Sequence, residues 1–268
     1  MEEKKITAGI NVDEDSKRYY PYNNLAANLI GFCGTDNSGQ TGIEERWNDV
    51  LTGIAGKRVT TVDSNGMAIS DEDEQYVTSE NGSNIYLTID TTIQATAEKY
   101  LKQAMIENPT ATAGNVIIMN PQTGEILAMA TNPDYDLNQP SNYEATGYNE
   151  EEWKSLEAVD RSSSLLNVWK NRAVSGTYEP GSTFKLITAA VGLEEGYVKT
   201  DTAGDFNCTG SYVVAIENDE PVPISCWRPQ PHGSQTLRLA LQNSCNPAFM
   251  QLGQRIGAST LYKYFKAF

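Results

Sequence analysis

The chain has 268 residues, 39% of them hydrophobic, which is enough for one large or two modest folded cores. Its formal net charge of −15 argues against a nucleic-acid partner, because phosphate backbones are bound through clusters of lysine and arginine. The first residues lack the apolar segment of a signal peptide, and no run approaches the ~18 apolar residues of a membrane span, so we expect this chain to be soluble.

The first predicted unit covers residues 1–82. Its features, in chain order, are the segment Arg18–Pro21, an apolar helix over Leu25–Phe32, a glycine-rich turn over Gly39–Glu44 and a strand over Lys57–Asp63. The acidic run Asp71–Glu74 and the turn-rich segment Ser79–Asn84 then predict a solvated boundary.

The second predicted unit covers residues 83–268 and alternates helices with short strands. We predict, in chain order, a strand over Ile85–Ile89, a helix over Thr92–Glu107 capped by Asp90 or Thr91, a β-hairpin of Asn115–Met119 and Glu125–Ala130, and a helix near Glu150–Val159. There follow a helix over Ser182–Glu195, a hairpin or other excursion between Cys208 and Cys226, and helices over Leu237–Gln242 and Pro247–Ile256.

Ser182 and Lys185 form a Ser-x-x-Lys pair at the start of a predicted helix. Residues three apart lie on one helical face, so the hydroxyl and the amine can meet there. A partly desolvated lysine can take the hydroxyl proton, and the helix N-terminus suits a developing oxyanion. An ordinary helix N-cap is the simpler reading of Ser182 alone. This is, however, the one Ser-x-x-Lys in the sequence, and it follows Pro-Gly directly.

Ser244 and Asn246 supply a second polar pair, Ser-x-Asn, after another predicted helix. A second hydroxyl could relay protons, and the asparagine amide could orient a peptide-like substrate. The pattern is common, and its other match, Ser79 with Asn81, lies in the predicted linker. The pairing of Ser244 with Ser182 carries the inference.

The chain has four cysteines and one histidine, none arranged in a CxxC pair, so we predict no zinc or other metal site. A disulfide between Cys208 and Cys226, or two free thiols, are the alternatives for that pair. Trp227, Arg228 and His232 either line a cleft or serve packing and the surface.

Several segments resemble class B penicillin-binding proteins. These are Leu87–Asp90, Pro121–Ala130, Asn132–Asp136, Asn171–Lys185 and Asn243–Pro247, with Arg18–Pro21 and Gly39–Glu44 similar to the preceding pedestal. The resemblance implies an α+β fold, an antiparallel sheet flanked by helices. It also implies that residues 1–82 are the C-terminal part of a pedestal (dimerisation-like) domain, and residues 83–268 the N-terminal part of a transpeptidase domain.

The resemblance implies peptidoglycan D,D-transpeptidation without a cofactor. Ser182 would be the nucleophile, Lys185 the base and Ser244 the proton relay, while Asn246 would contact the substrate amide. Peptidoglycan stem peptides and β-lactams would be the ligands. The parent protein would be membrane-anchored, face the extracytoplasmic side of the bacterial cell membrane and associate with other cell-wall synthesis proteins.

One family motif, Lys-Thr/Ser-Gly, has no match in the expected place. The nearest string, Lys199–Asp201, has aspartate where a glycine would let the substrate approach. We therefore expect an incomplete domain whose activity alone is weak or absent, since losing one oxyanion donor costs roughly 100- to 1000-fold in rate.

Two other functions share these features. A β-lactam-hydrolysing or β-lactam-sensing protein carries a similar nucleophile motif, but the pedestal-like first unit argues against both. A non-catalytic scaffold that keeps the pedestal for partner binding is the third hypothesis.

Overall fold

A computed structural model describes residues 17–59, 75–217 and 220–268. The chain divides into two compact units, Met1–Thr177 and Tyr178–Phe268. The predicted acidic run Asp71–Glu74 and the second half of the predicted strand Lys57–Asp63 lie outside the described residues. The domain boundary after residue 82 stays a prediction, distinct from the division between the compact units.

The first unit contains seven helices and two antiparallel strand pairs within the described residues, besides a 3₁₀ turn at Tyr143–Thr146. The helices are α1 Ala27–Ile30, α2 Gly42–Arg46, α3 Asn48–Leu51, α4 Thr91–Glu107, α5 Glu150–Ser155, α6 Ala158–Trp169 and α7 Arg172–Ser175. The strands are β1 Lys57–Val59, β2 Gln75–Val77, β3 Gly114–Met119 and β4 Ile126–Asn132, paired as β1–β2 and β3–β4.

Helix α4 begins where the sequence predicts. The Asp90 carboxylate accepts hydrogen bonds from the backbone N–H groups of Thr92 and Ile93, at 2.8 and 2.9 Å, and so caps the helix. The buried side chain of Gln94 donates to the Met129 carbonyl and accepts from the Met129 N–H. These bonds join α4 to the hairpin β3–β4.

The segments Arg18–Pro21 and Gly39–Glu44 meet around a buried carboxylate. Arg18 forms a two-point ion pair with Glu44, at 2.7 and 3.0 Å, and the Tyr20 hydroxyl donates to Glu44 at 3.3 Å. A buried carboxylate is tolerated when it is paired and hydrogen-bonded. Arg18 and Tyr20 of the first segment provide these partners for Glu44 of the second.

The second unit contains four helices and two antiparallel strand pairs within the described residues. The helices are α8 Lys185–Glu194, α9 Leu237–Gln242, α10 Asn246–Ile256 and α11 Ala258–Ala267, and a 3₁₀ turn over Gly181–Phe184 leads into α8. The strands are β5 Phe206–Cys208, β6 Ser211–Glu217, β7 Glu220–Ser225 and β8 Gly233–Gln235, paired as β5–β8 and β6–β7.

The core of the second unit forms where α8 packs against α10. Val191 and Leu252 are both fully buried there. The two helices approach closely at Gly192, where an added Cβ would lie 3.0 Å from Leu252 and 3.1 Å from Val198. This packing fixes the position of the start of α8 relative to the start of α10.

Most predicted elements are present, but two predictions were wrong. Residues Ile85–Ile89 form no strand, because Thr88 bonds to β4 only through its side chain, to the Ile126 carbonyl, and the backbone bond to Leu127 comes from the next residue, Asp90. The predicted helix near Glu150–Val159 is two helices, because the backbone is extended at Leu156. Arg161 donates to carbonyls in that break.

Along the described part of the chain, no helix has the length and apolar character needed to cross a membrane.

Leu252→Ala should destabilise the second unit by about 2–5 kcal/mol, because it removes a fully buried side chain and leaves a cavity. The matched control is Leu239→Ala on α9, whose leucine is 44% exposed and whose truncation should cost about 0.5 kcal/mol. Urea unfolding followed by circular dichroism measures both, and equal losses would contradict the packing described here.

Candidate active site

Ser182 lies in the 3₁₀ turn that opens α8, with its side chain exposed. The preceding residue, Gly181, has a φ of +56°, a backbone conformation that glycine adopts easily. The Thr183 hydroxyl donates to the Pro180 carbonyl at 2.6 Å and stabilises the turn. The turn therefore presents the Ser182 hydroxyl at the surface beside the first residue of α8.

Lys185 is the centre of the site. Its Nζ lies 3.1 Å from Ser182 Oγ, as the i, i+3 spacing predicts. The same nitrogen lies 3.0 Å from Ser244 Oγ, 2.8 Å from the Ser244 carbonyl and 2.6 Å from Asn246 Oδ1. The structure thus brings together all four residues that the two motifs predicted.

Ser244 reaches the site through an unusual backbone conformation. It follows α9 and has a φ of +47°, which is uncommon for a residue with a side chain. Its Oγ lies 3.0 Å from Ser182 Oγ, so the two hydroxyls and the lysine amine form a triangle. Strained backbone of this kind is concentrated at functional sites. A proton can pass between any two corners of the triangle.

Asn246 begins α10 and faces the same amine. Its Oδ1 accepts from Lys185, while its Nδ2 makes a 3.4 Å contact with the Ser225 carbonyl at the end of β7. In this structure the asparagine therefore holds the lysine. Its predicted contact with a substrate amide stays a prediction.

Burial lowers the pKa of Lys185 below its ordinary value of 10.5, and the charges of nearby Cys245 and Cys226 partly oppose this effect. Desolvation disfavours the charged form of an amine. A neutral lysine has a free lone pair and can accept the Ser182 proton, which an ammonium group cannot do. The environment therefore favours the base role predicted for this residue.

The string Lys199–Asp201 lies away from this site. It follows the far end of α8, whose 10 residues rise by about 15 Å. Asp201 is paired with Arg238, at 2.7 and 3.0 Å, which lowers the pKa of this aspartate to about 2. The string supplies no group to the triangle of Ser182, Lys185 and Ser244.

The residues around the second motif divide between surface and interior. Trp227 is 65% exposed, although its Nε1 donates to the Asn243 carbonyl at 2.9 Å. Arg228 is exposed. His232 lies partly inside, with its ring nitrogen Nδ1 3.7 Å from the Cys208 sulfur and 3.5 Å from the Cys226 sulfur.

The disulfide considered between Cys208 and Cys226 is absent, and both residues are free thiols directed at His232. A third thiol joins them. We call the group the Cys₃His cluster; its members are Cys208, Cys226, Cys245 and His232. The lack of a CxxC pair in the sequence thus does not exclude a group of metal-ligand side chains, because the folded hairpin β6–β7 brings together residues that share no short motif.

Two protein-family models match this chain, one in each of the two predicted units. The model of the penicillin-binding protein transpeptidase domain matches residues 114–268, and that of the penicillin-binding protein dimerisation domain matches residues 1–87.

Two curated relatives are similar along much of the chain. Stage V sporulation protein D of Bacillus subtilis is 36% identical over 97% of this chain and 36% of that protein. The peptidoglycan D,D-transpeptidase FtsI of Buchnera aphidicola is 35% identical over 72% of this chain and 30% of that protein. The chain thus spans about a third of the length of these relatives.

The fold has counterparts among solved structures. A peptidoglycan synthetase from Bifidobacterium adolescentis superposes with a TM-score of 0.70 at 23% identity, covering 92% of this chain and 40% of that one. The expected α+β transpeptidase fold is confirmed.

The Lys185 amine should titrate below 10.5, because burial disfavours its charged form. Side-chain NMR of ¹⁵N-labelled lysine measures the midpoint, and Lys185→Gln assigns the resonance by its disappearance. A midpoint at or above 10.5 would show that the neighbouring acceptors and thiolates outweigh desolvation.

Proposed function

The chain belongs to the penicillin-binding protein transpeptidase family, and we propose that it carries the nucleophile half of a peptidoglycan D,D-transpeptidase site. The observation behind this proposal is the triangle of Ser182, Lys185 and Ser244, whose sides are about as long as hydrogen bonds. The dimerisation-domain match over residues 1–87 supports a class B member rather than a β-lactam-hydrolysing or β-lactam-sensing protein.

The acylation step starts with proton transfer from Ser182 to neutral Lys185. The Ser182 oxygen then forms a bond to the penultimate D-Ala carbonyl carbon of a stem peptide, and the C–N bond to the terminal D-Ala breaks. Lys185 returns the proton, through the Ser244 hydroxyl, to the departing amine. An amine of a neighbouring strand reverses these transfers, forms the new amide and frees the serine.

Substrate binding draws on Asn246 and on the exposed position of Ser182. Once the lysine has shifted toward the serine, the asparagine amide is available for a backbone group of the stem peptide. The Ser182 N–H, at the start of α8, is one donor for the oxyanion. The Lys-Thr/Ser-Gly strand of the family would supply the remaining contacts.

β-Lactams fit the same chemistry. Attack by Ser182 opens the ring amide, and the ring nitrogen takes the proton but stays tethered to the acyl group. No leaving group departs, so the adduct blocks the amine acceptor. A stable covalent adduct therefore separates a transpeptidase from a hydrolase, which would release the opened ring. A non-catalytic scaffold would give neither a stable adduct nor the opened ring.

The cellular location and the protein partners of the whole protein are proposed from family membership alone. We infer an anchor in the bacterial cell membrane, an extracytoplasmic site and association with other cell-wall synthesis proteins.

A fluorescent penicillin should label the 268-residue chain weakly or not at all and a longer chain strongly, and Ser182→Ala should abolish the label because it removes the acylated oxygen. Ser162→Ala, an exposed helix position in the other unit, is the matched control and should label normally. Gel fluorescence gives the readout, and the same assay is run on a chain extended to the length of its relatives. Rapid turnover of a chromogenic cephalosporin would indicate a hydrolase instead, and an unlabelled extended chain would indicate a scaffold.

Ser244→Ala should slow acylation by roughly 100- to 10,000-fold, the usual contribution of a positioned proton-transfer group. The nucleophile and the base remain, so labelling at long times should persist, unlike in Ser182→Ala. Stopped-flow measurement on the extended chain gives the rate constant. An unchanged rate would assign the relay to water or to Lys185 alone.

A further inference from the structure

The Cys₃His cluster is the second group of reactive side chains in the unit that carries Ser182. Its thiols are those of Cys208, at the end of β5, Cys226, directly after β7, and Cys245, between α9 and α10. All three cysteines are buried, with exposures of 1%, 8% and 0%. Free buried cysteines often act as small apolar residues, but here the one histidine of the sequence lies among them.

The distances fit a tetrahedral ion. With Zn–S bonds of about 2.3 Å and a Zn–N bond of about 2.0–2.1 Å, a tetrahedron places sulfur and nitrogen about 3.6 Å apart and two sulfurs about 3.8 Å apart. His232 Nδ1 lies 3.7 Å from Cys208 Sγ and 3.5 Å from Cys226 Sγ. All four ligand atoms lie within 4.8 Å of one another, so closing on an ion requires only small side-chain movements.

The donor set selects the ion. Three thiolates and an imidazole are ligands of zinc in closed structural sites, whereas magnesium and calcium require oxygen. With four protein ligands the ion has no open position for a substrate. The side chain of Gln235 is also buried beside the cluster, with an exposure of 2%. Its amide nitrogen, Nε2, has no oxygen or nitrogen acceptor among the described residues. Its amide nevertheless interacts with Cys245, where a metal-bound thiolate would offer an acceptor.

Cys245 joins the cluster to the candidate active site, because it is the middle residue of Ser244-Cys245-Asn246. The turn before it contains the left-handed Ser244 and is held by two backbone bonds, from Ser244 to Leu241 at 3.0 Å and from Cys245 to Ala240 at 2.9 Å. A bond from the Cys245 sulfur to an ion would add a third attachment.

We propose that the Cys₃His cluster binds one Zn²⁺ ion, and that the bound ion fixes the turn that carries Ser244 and Asn246. Binding displaces three thiol protons to solvent, so three thiolates and a neutral imidazole surround Zn²⁺ and the centre carries one net negative charge. The role of the turn rests on the proposed function, whereas the metal site does not.

The first test measures metal content in this 268-residue chain. Reduced protein is incubated with zinc chloride, desalted and analysed by elemental mass spectrometry, with an expected ratio of one zinc per chain. Cys226→Ser and His232→Ala should each weaken zinc binding by more than the roughly 10- to 100-fold typical of outer-shell changes. Cys33→Ser is the matched control, because Cys33 lies in the other unit, and it should keep the full ratio.

Cobalt gives a spectroscopic check on the same samples. Co²⁺ in place of zinc should show the visible bands of a tetrahedral site and a thiolate charge-transfer band, both lost in Cys226→Ser. A substoichiometric metal content, cobalt spectra typical of six oxygen or nitrogen ligands, or zinc binding in Cys226→Ser and His232→Ala equal to that of the unchanged chain would overturn the metal site. The metal site would also be overturned if Cys208 and Cys226 formed a disulfide that resists reducing agents and the protein took up no metal.

Hydrogen exchange tests the effect on the turn. Removing zinc with a chelator should increase amide exchange in the peptide around Ser244, while α4 in the other unit stays unchanged. Unchanged exchange around Ser244 would overturn the positioning role even if zinc binds. Neither measurement depends on penicillin, so an unlabelled extended chain that binds one zinc refutes the proposed function alone, and a labelled extended chain without zinc refutes this inference alone.

Discussion

The contacts of the Lys185 amine connect the whole candidate site. One nitrogen lies within 3.1 Å of oxygens from Ser182, Ser244 and Asn246, so it joins two chain segments that are about 60 residues apart in sequence. A partly buried amine must be surrounded by acceptors when charged, and it loses its proton more easily when they fall short of water. Both the geometry of the site and the basicity of the lysine therefore depend on where α8 and α10 begin. The relative position of these two helix starts is set by core packing, including the close approach of Gly192 to Leu252.

Sequence reasoning succeeded where the determinants are local. The cap at Asp90, the hairpin β3–β4 and the helices α8, α9 and α10 each follow from a few adjacent residues. The approach of Ser182 to Lys185 follows from helical spacing alone. The approach of Ser244 was a hypothesis from the two motifs and was implied by the family resemblance, but its geometry depends on packing between helices and on a left-handed backbone that no propensity predicts.

The failures have equally specific causes. Ile85–Ile89 has the apolar composition of a strand, but a strand exists only where a neighbour pairs with its backbone, and β4 offers that segment little pairing. The sequence does not predict the Cys₃His cluster, because its members are 18, 6 and 13 positions apart and form no compact motif. The hairpin β6–β7 brings Cys208 and Cys226 together in the fold. Likewise, the ion pair between Arg18 and Glu44 joins two segments 26 residues apart, so it depends on the fold and not on adjacent residues.

The motif Ser244-Cys245-Asn246 therefore has contacts in two directions, toward Lys185 and toward the core. Cys245 has extended backbone angles, φ −74° and ψ 108°, between a left-handed Ser244 and the first residue of α10. This geometry directs Ser244 and Asn246 toward the lysine and Cys245, with 0% exposure, into the core. The thiol between the two polar positions is thus directed away from the hydroxyls of Ser182 and Ser244, and in the proposed zinc site its sulfur would hold the motif in place. A small apolar side chain there would only fill space, whereas a thiol among two other thiols and an imidazole can bind a shared ion, which would attach the interior directly to the turn that carries Ser244.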